Sequence, residues 1–274
     1  MTKHFFHKEH KSNIFDHVQN ILEQQAELFM PKIIKNIKPF GFGSDKHILD
    51  FGCGVGASSL KLHKEFKNSH IVAVDINDDL LKRFETKLTP DNKNAFTIIN
   101  WNAEQDNAPE VIKDCHSVFI GLVCQHMKDP VKTLSNLRKS LPKNTLVAII
   151  EEDDAYLQAY PETYGIKRIF QAWNEFEAHN QENRKMGRCI PAIVKEAGYE
   201  LIHYDILIHT DLELGMENLA DYFLNTINFC SLTTNGAVTK EEIDKVAHDI
   251  ETFIQDNKKG AFFYFPHVLT IAKT

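Results

Sequence analysis

Apolar runs bounded by polar and turn-forming residues recur along the chain, and their lengths predict two kinds of element. Short runs rich in Val, Ile, Leu and Phe are typical of buried strands, whereas longer segments with apolar residues every three or four positions are typical of amphipathic helices. The strand pattern is found at 47–51, 70–75, 96–100, 117–122, 145–151, 200–209 and 263–272. Helical patterns separate the first five of these, so the sequence predicts an α/β fold with a mostly parallel, doubly wound sheet covered on both faces.

Three segments lie outside this regular alternation. The segment 12–37 has apolar residues on one helical face and precedes the first strand. Two insertions, 153–199 and 210–262, interrupt the last strands and combine helical patterns with many aromatic residues. A chain of 274 residues has the length of one domain with insertions, so we expect a single domain. Its predicted parts are an N-terminal helical cap at 1–45, a core at 46–152, and lid insertions at 153–199 and 210–262.

A glycine turn follows the first predicted strand. The segment 48–56 reads ILDFGCGVG, so the strand ends near Asp50 and opens onto Gly52, Gly54 and Gly56 before a helical pattern begins. Glycine is favoured where the backbone needs a positive φ or where a ligand approaches closely, and the amides at the following helix N-terminus can face a polar group. The turn therefore predicts a binding site for a cofactor.

The second predicted strand supports this interpretation. It reads IVAVDIN over 71–77 and also ends in an acid, Asp75. A carboxylate at the end of the neighbouring strand can accept hydrogen bonds from both hydroxyl groups of a ribose. The two motifs together predict a cofactor that contains a nucleoside.

Two classes of cofactor fit a glycine turn of this kind. Gly52, Gly54 and Ala57 match the G-x-G-x-x-A form of the dinucleotide fingerprint, so an NAD(P)-dependent oxidoreductase is one alternative. Against it, Asp50 stands where dinucleotide-binding strands usually keep an apolar residue, and an acid there suits a cofactor with an ammonium group. Gly56 adds a third glycine and completes the pattern D-x-G-x-G-x-G.

This pattern resembles motif I of the class I S-adenosylmethionine-dependent methyltransferases, and three further segments extend the resemblance over about 46–152. Asp75 is similar to the acidic ribose ligand of their second motif. The segment WNAEQD at 101–106 resembles their adenine-contacting segment, and SVFIGLVCQHMKDP at 117–130 resembles their fourth strand and its loop, with His126 and the pair Asp129-Pro130 in the usual places.

The resemblance implies S-adenosyl-L-methionine as cofactor and a Rossmann-like seven-stranded sheet with an antiparallel last strand and helical lid insertions. The implied cofactor-binding residues are Asp50, Gly52, Cys53, Gly54, Gly56, Asp75, Ile76, Asn102, Ala103 and Leu122. Two positions depart from the family pattern. Asn102 stands where many members carry an aspartate, and His116 and Ser117 stand where the fourth strand commonly begins with one.

Composition narrows the possible partners. The net charge is −7 and the pI is near 6.0, which argues against a nucleic-acid groove because such grooves need clustered Lys and Arg. We therefore expect a small-molecule acceptor. No apolar run is long enough to span a bilayer, and 1–11 lacks the apolar centre of a signal peptide, so we expect a cytoplasmic protein. The five cysteines are scattered without C-x-x-C spacing, so neither disulfides nor a metal site is expected.

The expected reaction is an in-line displacement of the methyl group from the sulfonium of the cofactor. The main contribution of an enzyme to such a step is the alignment of the acceptor, and a general base is needed only if the acceptor keeps a proton. The candidate catalytic residues are His126, Glu151 and Glu152. A non-catalytic methyltransferase-fold binding protein is a further alternative, because the cofactor motifs do not themselves demonstrate catalysis.

Each catalytic candidate also has a purely structural interpretation. His126 can be a loop-packing residue, and the acid run 151–154 can be a solvated turn. If a member of the run faces inward, it favours a neutral or cationic acceptor. The aromatic residues of the lids, such as Phe170, Trp173, Phe176 and Phe223, either line a pocket for a planar substrate or pack the lid.

Overall fold

A computed structural model describes residues 11–44, 47–105, 107–180, 182–233, 238–256 and 260–274. The chain divides into two compact units. The core unit comprises 29–153, 185–207 and 267–274, and the helical unit comprises 1–28, 154–184 and 208–266. Each unit is described separately below.

The core unit contains a parallel sheet whose strands are buried along most of their length. Five strands lie in the order β3-β2-β1-β4-β5, and all four contacts between neighbours are parallel. Their bounds are β1 His47–Phe51, β2 His70–Asp75, β3 Phe96–Asn100, β4 Ser117–Gly121 and β5 Leu146–Glu152. Nearly continuous apolar runs such as Val147 to Ile150 are what a parallel sheet requires, because helices cover both of its faces.

Two long strands complete the sheet and continue into the helical unit. They are β7, Glu200–Thr210, and β8, Phe262–Lys273, which pair with each other. β8 runs antiparallel to β5, so that Leu146 lies opposite Lys273 and Glu152 lies opposite His267.

Helices of the core unit begin at recognisable capping residues. Asn77 accepts hydrogen bonds from the amides of Asp79 and Leu80 at the start of α3, Asp78–Lys87, and Asp129 accepts one from Lys132 at the start of α4, Pro130–Ser140. The helices of this unit are α2 Ala57–Glu65, α3 Asp78–Lys87, α4 Pro130–Ser140 and α6 Met186–Glu196. Helix α1 spans Lys11–Ile37, and its residues 29–37 also belong to the core unit. α4 and α6 cover one face of the sheet and share an apolar cluster with strands β1, β2, β4 and β5.

The helical unit is built on three helices that contact one another, α5 Tyr164–Asn180, α8 Met216–Thr233 and α9 Lys240–Asp256. It also contains α7, Asp211–Leu214, and a short strand, β6, Gln158–Tyr160, which pairs antiparallel with the beginning of β8. Its interior is aromatic: Trp173 lies edge-on to Phe265 with ring centroids 6.3 Å apart, and it contacts Phe223 at 5.7 Å.

Most of the fold agrees with the sequence-based expectations. The seven predicted strands are present with shifts of at most one residue at their ends, and the last strand is antiparallel as expected. The predicted number of seven strands is wrong, because β6 is an additional strand. Only three residues long, β6 has too few positions to show a periodic pattern.

The first predicted lid segment, 153–199, is divided between the two units. Of the predicted lid 153–199, residues 154–184 lie in the helical unit, whereas α6 packs on β5 in the core unit. Trp173, Phe176 and Phe223 are buried within the helical unit, and Phe170 packs against Trp173. These aromatic side chains therefore contribute to packing inside that unit. Across the described ranges, no helix combines the length and the apolarity needed to cross a membrane.

Candidate cofactor site

The predicted cofactor residues come together at one edge of the core unit. Parallel strands present their carboxyl ends at the same edge, and in doubly wound sheets this edge is where ligands bind. Every predicted cofactor residue lies at or just after the end of one of four strands, β1, β2, β3 or β4. The sequence motifs are thus neighbours in the folded core.

The glycine turn, residues 52–56, is fixed by backbone contacts to β2. The amides of Gly52 and Cys53 donate to the carbonyl oxygen of Val74 at 2.8 and 3.0 Å. Gly52, Gly54 and Gly56 all have positive φ values, of 79°, 54° and 75°, which explains why the turn requires glycine. The side chain of Cys53 is buried, and burial raises the pKa of its thiol well above the ordinary value, so this cysteine is a packing residue.

Asp75 connects the end of β2 to the glycine turn. Its Oδ2 accepts a hydrogen bond from the Gly54 amide at 2.8 Å, and its Oδ1 accepts one from the Asn77 amide at 2.8 Å. Burial raises the pKa of Asp75 above its ordinary value, and the hydrogen bonds from Asn77 and Gly54 act in the opposite direction. The carboxylate is partly exposed and each oxygen retains accepting capacity, as a ribose ligand requires. Ile76 beside it is 37% exposed and offers an apolar surface.

Asp50 lies in β1, two residues before the glycine turn. It is 2% exposed, and its Oδ2 accepts a hydrogen bond from the Ser59 hydroxyl at 2.5 Å. Burial is the main reason that the pKa of Asp50 rises to about 7, with Asp75 adding to the rise and Ser59 opposing it. Asp50 therefore anchors α2 to β1. Its predicted contact with the ammonium of the cofactor stays a prediction, and Ser59 is a partner that the motif did not identify.

The segment after β3 forms a compact turn. Asn102 Oδ1 accepts a hydrogen bond from the Glu104 amide at 3.0 Å, so part of the accepting capacity of this side chain is already used. Ala103 is buried, and Trp101 lies edge-on to Phe51 with ring centroids 5.7 Å apart. Asp106, the last residue of the predicted adenine segment, lies outside the described residues.

The β4 loop, residues 121–126, carries two predicted site residues. Leu122 has a φ of 58°, in the left-handed region that residues with a Cβ rarely adopt. His126 ends a short 3-10 turn that begins at Cys124, and its side chain is partly exposed. The charge of His126 opposes the burial that raises the pKa of Asp75 and of Glu151.

The four consecutive acids at the end of β5 do not form a solvated turn. Glu151, Glu152 and Asp153 are 0%, 2% and 0% exposed. Glu151 Oε1 accepts hydrogen bonds from the amides of Val123 and Cys124 at 2.9 and 2.6 Å. Asp153 is bound by both Nε and Nη2 of Arg188 at 2.6 and 2.7 Å. The solvated-turn interpretation is therefore wrong for these three residues.

In the helical unit, the fourth acid is also paired. Asp154 accepts hydrogen bonds from Nε and Nη2 of Arg184 at 2.5 and 3.2 Å. The guanidinium carbon of Arg184 lies 4.8 Å from the centroid of the Trp173 ring. Since Asp153 and Asp154 are each neutralised by an arginine, the acid run does not present an uncompensated negative charge at these two positions.

Among the described residues, the histidines, cysteines and acids form no group of three or more that could hold a metal ion. All five cysteines are free thiols: Cys53, Cys115, Cys124, Cys189 and Cys230.

The residues at this edge fit S-adenosylmethionine. Asp75 supplies carboxylate oxygens for ribose hydroxyls, and Ile76 supplies an apolar surface for the nucleoside. The glycine turn lies beside them with its backbone at positive φ, and its amides at Gly52, Cys53, Gly54 and Gly56 donate within the protein.

Comparison with known proteins agrees with this assignment. Residues 49–147 match a family model described as a methyltransferase domain. A search of curated proteins gave no match.

Solved structures match the fold over most of the chain at low sequence identity. Phosphoethanolamine N-methyltransferase 2 from Haemonchus contortus, solved with phosphomonomethylethanolamine and S-adenosylhomocysteine, is 17% identical with a TM-score of 0.53; the match covers 84% of this chain and 49% of that one. This chain thus spans about half the length of that enzyme. A candidate methyltransferase from Bacillus halodurans is 16% identical with a TM-score of 0.56, covering 88% and 97%. Geranyl diphosphate methyltransferase in complex with S-adenosylmethionine is 14% identical with a TM-score of 0.51, covering 92% and 84%.

A methyltransferase domain accounts for the glycine turn, the acid at the end of β2, the strand order and the matched family model. The nicotinamide alternative explains neither the third glycine nor the matched model. Residues 49–147 match a methyltransferase domain, and the chain has the fold of solved methyltransferases that were determined with S-adenosylmethionine or S-adenosylhomocysteine.

Proposed function

We propose that this protein transfers a methyl group from S-adenosylmethionine to a small-molecule acceptor by in-line displacement. The observation that carries the proposal is the hydrogen bond between the Gly54 amide and Asp75. This bond holds the glycine turn next to the carboxylate of Asp75, the proposed ribose ligand, at the carboxyl edge of the sheet. The bound cofactor would supply a methyl group already activated on a sulfonium.

The residues of the chain would act mainly by binding and orientation. Asp75, the backbone of the glycine turn and the turn at Asn102 would fix the cofactor, and alignment of a bound acceptor can contribute about 7 to 11 kcal/mol in well-organised sites. His126, which is partly exposed and lies in the loop after β4, is our candidate for accepting a proton from an oxygen or ammonium acceptor. The buried positions of Glu151 and Glu152 favour His126 over these two acids in that role.

Several observations support a small acceptor over a nucleic acid. The net charge is −7, and the arginines near the end of β5, Arg184 and Arg188, are already bound to Asp154 and Asp153. Two solved proteins with this fold act on small molecules, phosphoethanolamine and geranyl diphosphate. The acid run no longer argues for a cationic acceptor, because two of its acids are neutralised internally. The chemical class of the acceptor is therefore left open, and a cytoplasmic location stays a prediction.

The test has two stages. Calorimetric titration with S-adenosylhomocysteine should show saturable binding, and titration with NADH should show none. A screen with S-adenosylmethionine labelled in the methyl group, over amines, phenols, thiols and carboxylic acids, should then identify a labelled product. Binding of S-adenosylhomocysteine without transfer to any acceptor class would favour the non-catalytic alternative, and preferential NADH binding would overturn the proposal.

A further inference from the structure

The carboxylate of Glu151 holds the β4 loop from inside the core unit. Its side chain is fully buried, and Oε1 accepts two backbone hydrogen bonds, from Val123 at 2.9 Å and from Cys124 at 2.6 Å. Two amides that converge on one oxygen are typical of an anion-binding backbone arrangement. Here the anion is supplied by the neighbouring strand of the same sheet.

The loop held in this way has an unfavourable backbone conformation. Leu122, directly before the two donating amides, has a φ of 58°, and such a conformation persists only where the surroundings enforce it. Two contacts from β5 enforce it. The Leu122 amide donates to the carbonyl oxygen of Ile150 at 2.8 Å, and Glu151 binds the next two amides.

The same loop packs against the glycine turn. A Cβ placed on Gly52 would lie 2.5 Å from Val123 Cγ2, so the Val123 side chain occupies the space that the missing Cβ leaves. The Gly52 amide is in turn bound to Val74 of β2 at 2.8 Å, and two residues further the Gly54 amide is bound to Asp75. A continuous set of contacts therefore leads from Glu151 through Val123 to the turn that forms the cofactor site.

We propose that Glu151 is a positioning residue that sets cofactor affinity by fixing the β4 loop against the glycine turn, and that it takes no part in proton transfer. This inference rests on the proposed function. It replaces the expectation that Glu151 is catalytic, because a catalytic acid must reach the reacting atoms and this side chain has no exposed surface.

The groups around Glu151 determine how its role depends on pH. Burial raises its pKa to about 7, the amides of Cys124 and Val123 and the charge of His126 oppose the rise, and Glu152 adds to it. Burial and the nearby charge of Glu151 raise the pKa of the Cys124 thiol well above the ordinary value, so this thiol stays protonated. A neutral carboxyl group accepts weaker hydrogen bonds than a carboxylate, so the loop should be held less firmly below the pKa of Glu151.

The experiment measures S-adenosylhomocysteine affinity by calorimetry for the wild type, Glu151→Gln and Glu151→Leu. At pH 8, we expect Glu151→Leu to bind about tenfold or more weakly, because two amides lose their acceptor. Glu151→Gln keeps one carbonyl oxygen and should stay within about threefold of the wild type. Ile149→Val, which removes one buried methylene group from the same strand, should bind as the wild type does. Thermal melts verify that each variant is folded.

The pH dependence separates positioning from a general loss of stability. Between pH 8 and pH 6 the affinity of the wild type should fall by a larger factor than that of Glu151→Gln, which keeps Asp50, Asp75 and His126 but lacks the titrating group. The comparison of these two proteins decides the matter even if Glu151→Leu does not fold. Equal pH dependence, or unchanged affinity in a folded Glu151→Leu variant, would overturn the inference, whereas a wild type that binds no S-adenosylhomocysteine would instead contradict the proposed function.

Discussion

The carboxylate of Asp153 is fully buried and is bound by two nitrogen atoms of Arg188, at 2.6 and 2.7 Å. The Arg188 side chain is 45% exposed, so one partner of the pair lies at the surface and the other lies in the interior. A Cβ on Gly187, the residue before Arg188, would lie only 2.7 Å from Val268 Cγ2. Because Gly187 has no Cβ, α6 can approach β8 closely, and Arg188 then reaches Asp153 at the end of β5. The pair therefore connects α6 to β5 inside the core unit.

Removing Arg188 should destabilise the protein because Asp153 would be left charged and buried. We expect Arg188→Met to reduce the free energy of unfolding by about 1.5 to 3 kcal/mol, the range for hydrogen bonds to charged groups. In a chain of this size that loss corresponds to a fall in Tm of roughly 3 to 12 °C. Thermal denaturation followed by circular dichroism measures it.

The double variant Asp153→Asn with Arg188→Met is the control, since it removes both charges. It should recover part of the lost stability. If Arg188→Met melts at the wild-type temperature, the ion pair does not stabilise the fold.

The local patterns of this fold could be predicted from the sequence, whereas contacts between distant residues could not. Strands β1 to β5 were predictable because their apolar runs are local signals, and the glycine turn and Asp75 were predictable because each motif follows a strand directly. The partners of the buried acids were not predictable. Asp153 and Arg188 are 35 positions apart, and Glu151 and Val123 are 28 positions apart, with no periodic pattern relating either pair. Glu151 and Glu152 are paired with Val268 and His267 of β8, and only the folded sheet reveals that these two acids lie in its interior.

Asp75 should be necessary for cofactor binding. Its carboxylate holds the Gly54 and Asn77 amides and would accept the ribose hydroxyls, so Asp75→Ala removes several charged hydrogen bonds at once. We expect a loss of about 2 to 4 kcal/mol in binding free energy for S-adenosylhomocysteine, measured by calorimetry. Asp78→Ala, which removes an exposed carboxylate three residues away, controls for net charge and should bind nearly as well as the wild type. An unchanged affinity in Asp75→Ala would remove Asp75 from the site.

Gly56 should be required for folding as well as for the shape of the glycine turn. A Cβ at this position would lie 2.1 Å from Cδ2 of Phe84, which is fully buried, and the φ of 75° is unfavourable for any other residue. We expect Gly56→Ala to destabilise the fold by at least about 1 to 3 kcal/mol, detected by chemical denaturation.

Gly41→Ala is a matched control for Gly56→Ala. Gly41 also has a positive φ, of 89°, but a Cβ there would meet no atom within 4 Å, so this variant reports backbone strain without a collision. The difference between the two variants measures the contact with Phe84. Equal destabilisation would mean that Phe84 moves aside at little cost.

The free energy of unfolding should decrease as the pH rises from about 4 toward 7. Burial raises the pKa of Asp50 from 3.8 to about 7 and that of Glu151 from 4.5 to about 7. Between about pH 4 and pH 7 the folded protein therefore holds protons that the unfolded chain releases, so each added pH unit favours unfolding until both groups are ionised in the folded state. Urea denaturation at pH 5, 6, 7 and 8 should show a falling free energy of unfolding that levels off above about pH 7. Asp50→Asn combined with Glu151→Gln removes both titrating groups and should flatten this dependence, while Asp75, whose pKa is also raised by burial, is retained and supplies a remaining slope of the same sign. If the double variant shows the same pH dependence as the wild type, these two carboxylates are not the groups that link stability to pH.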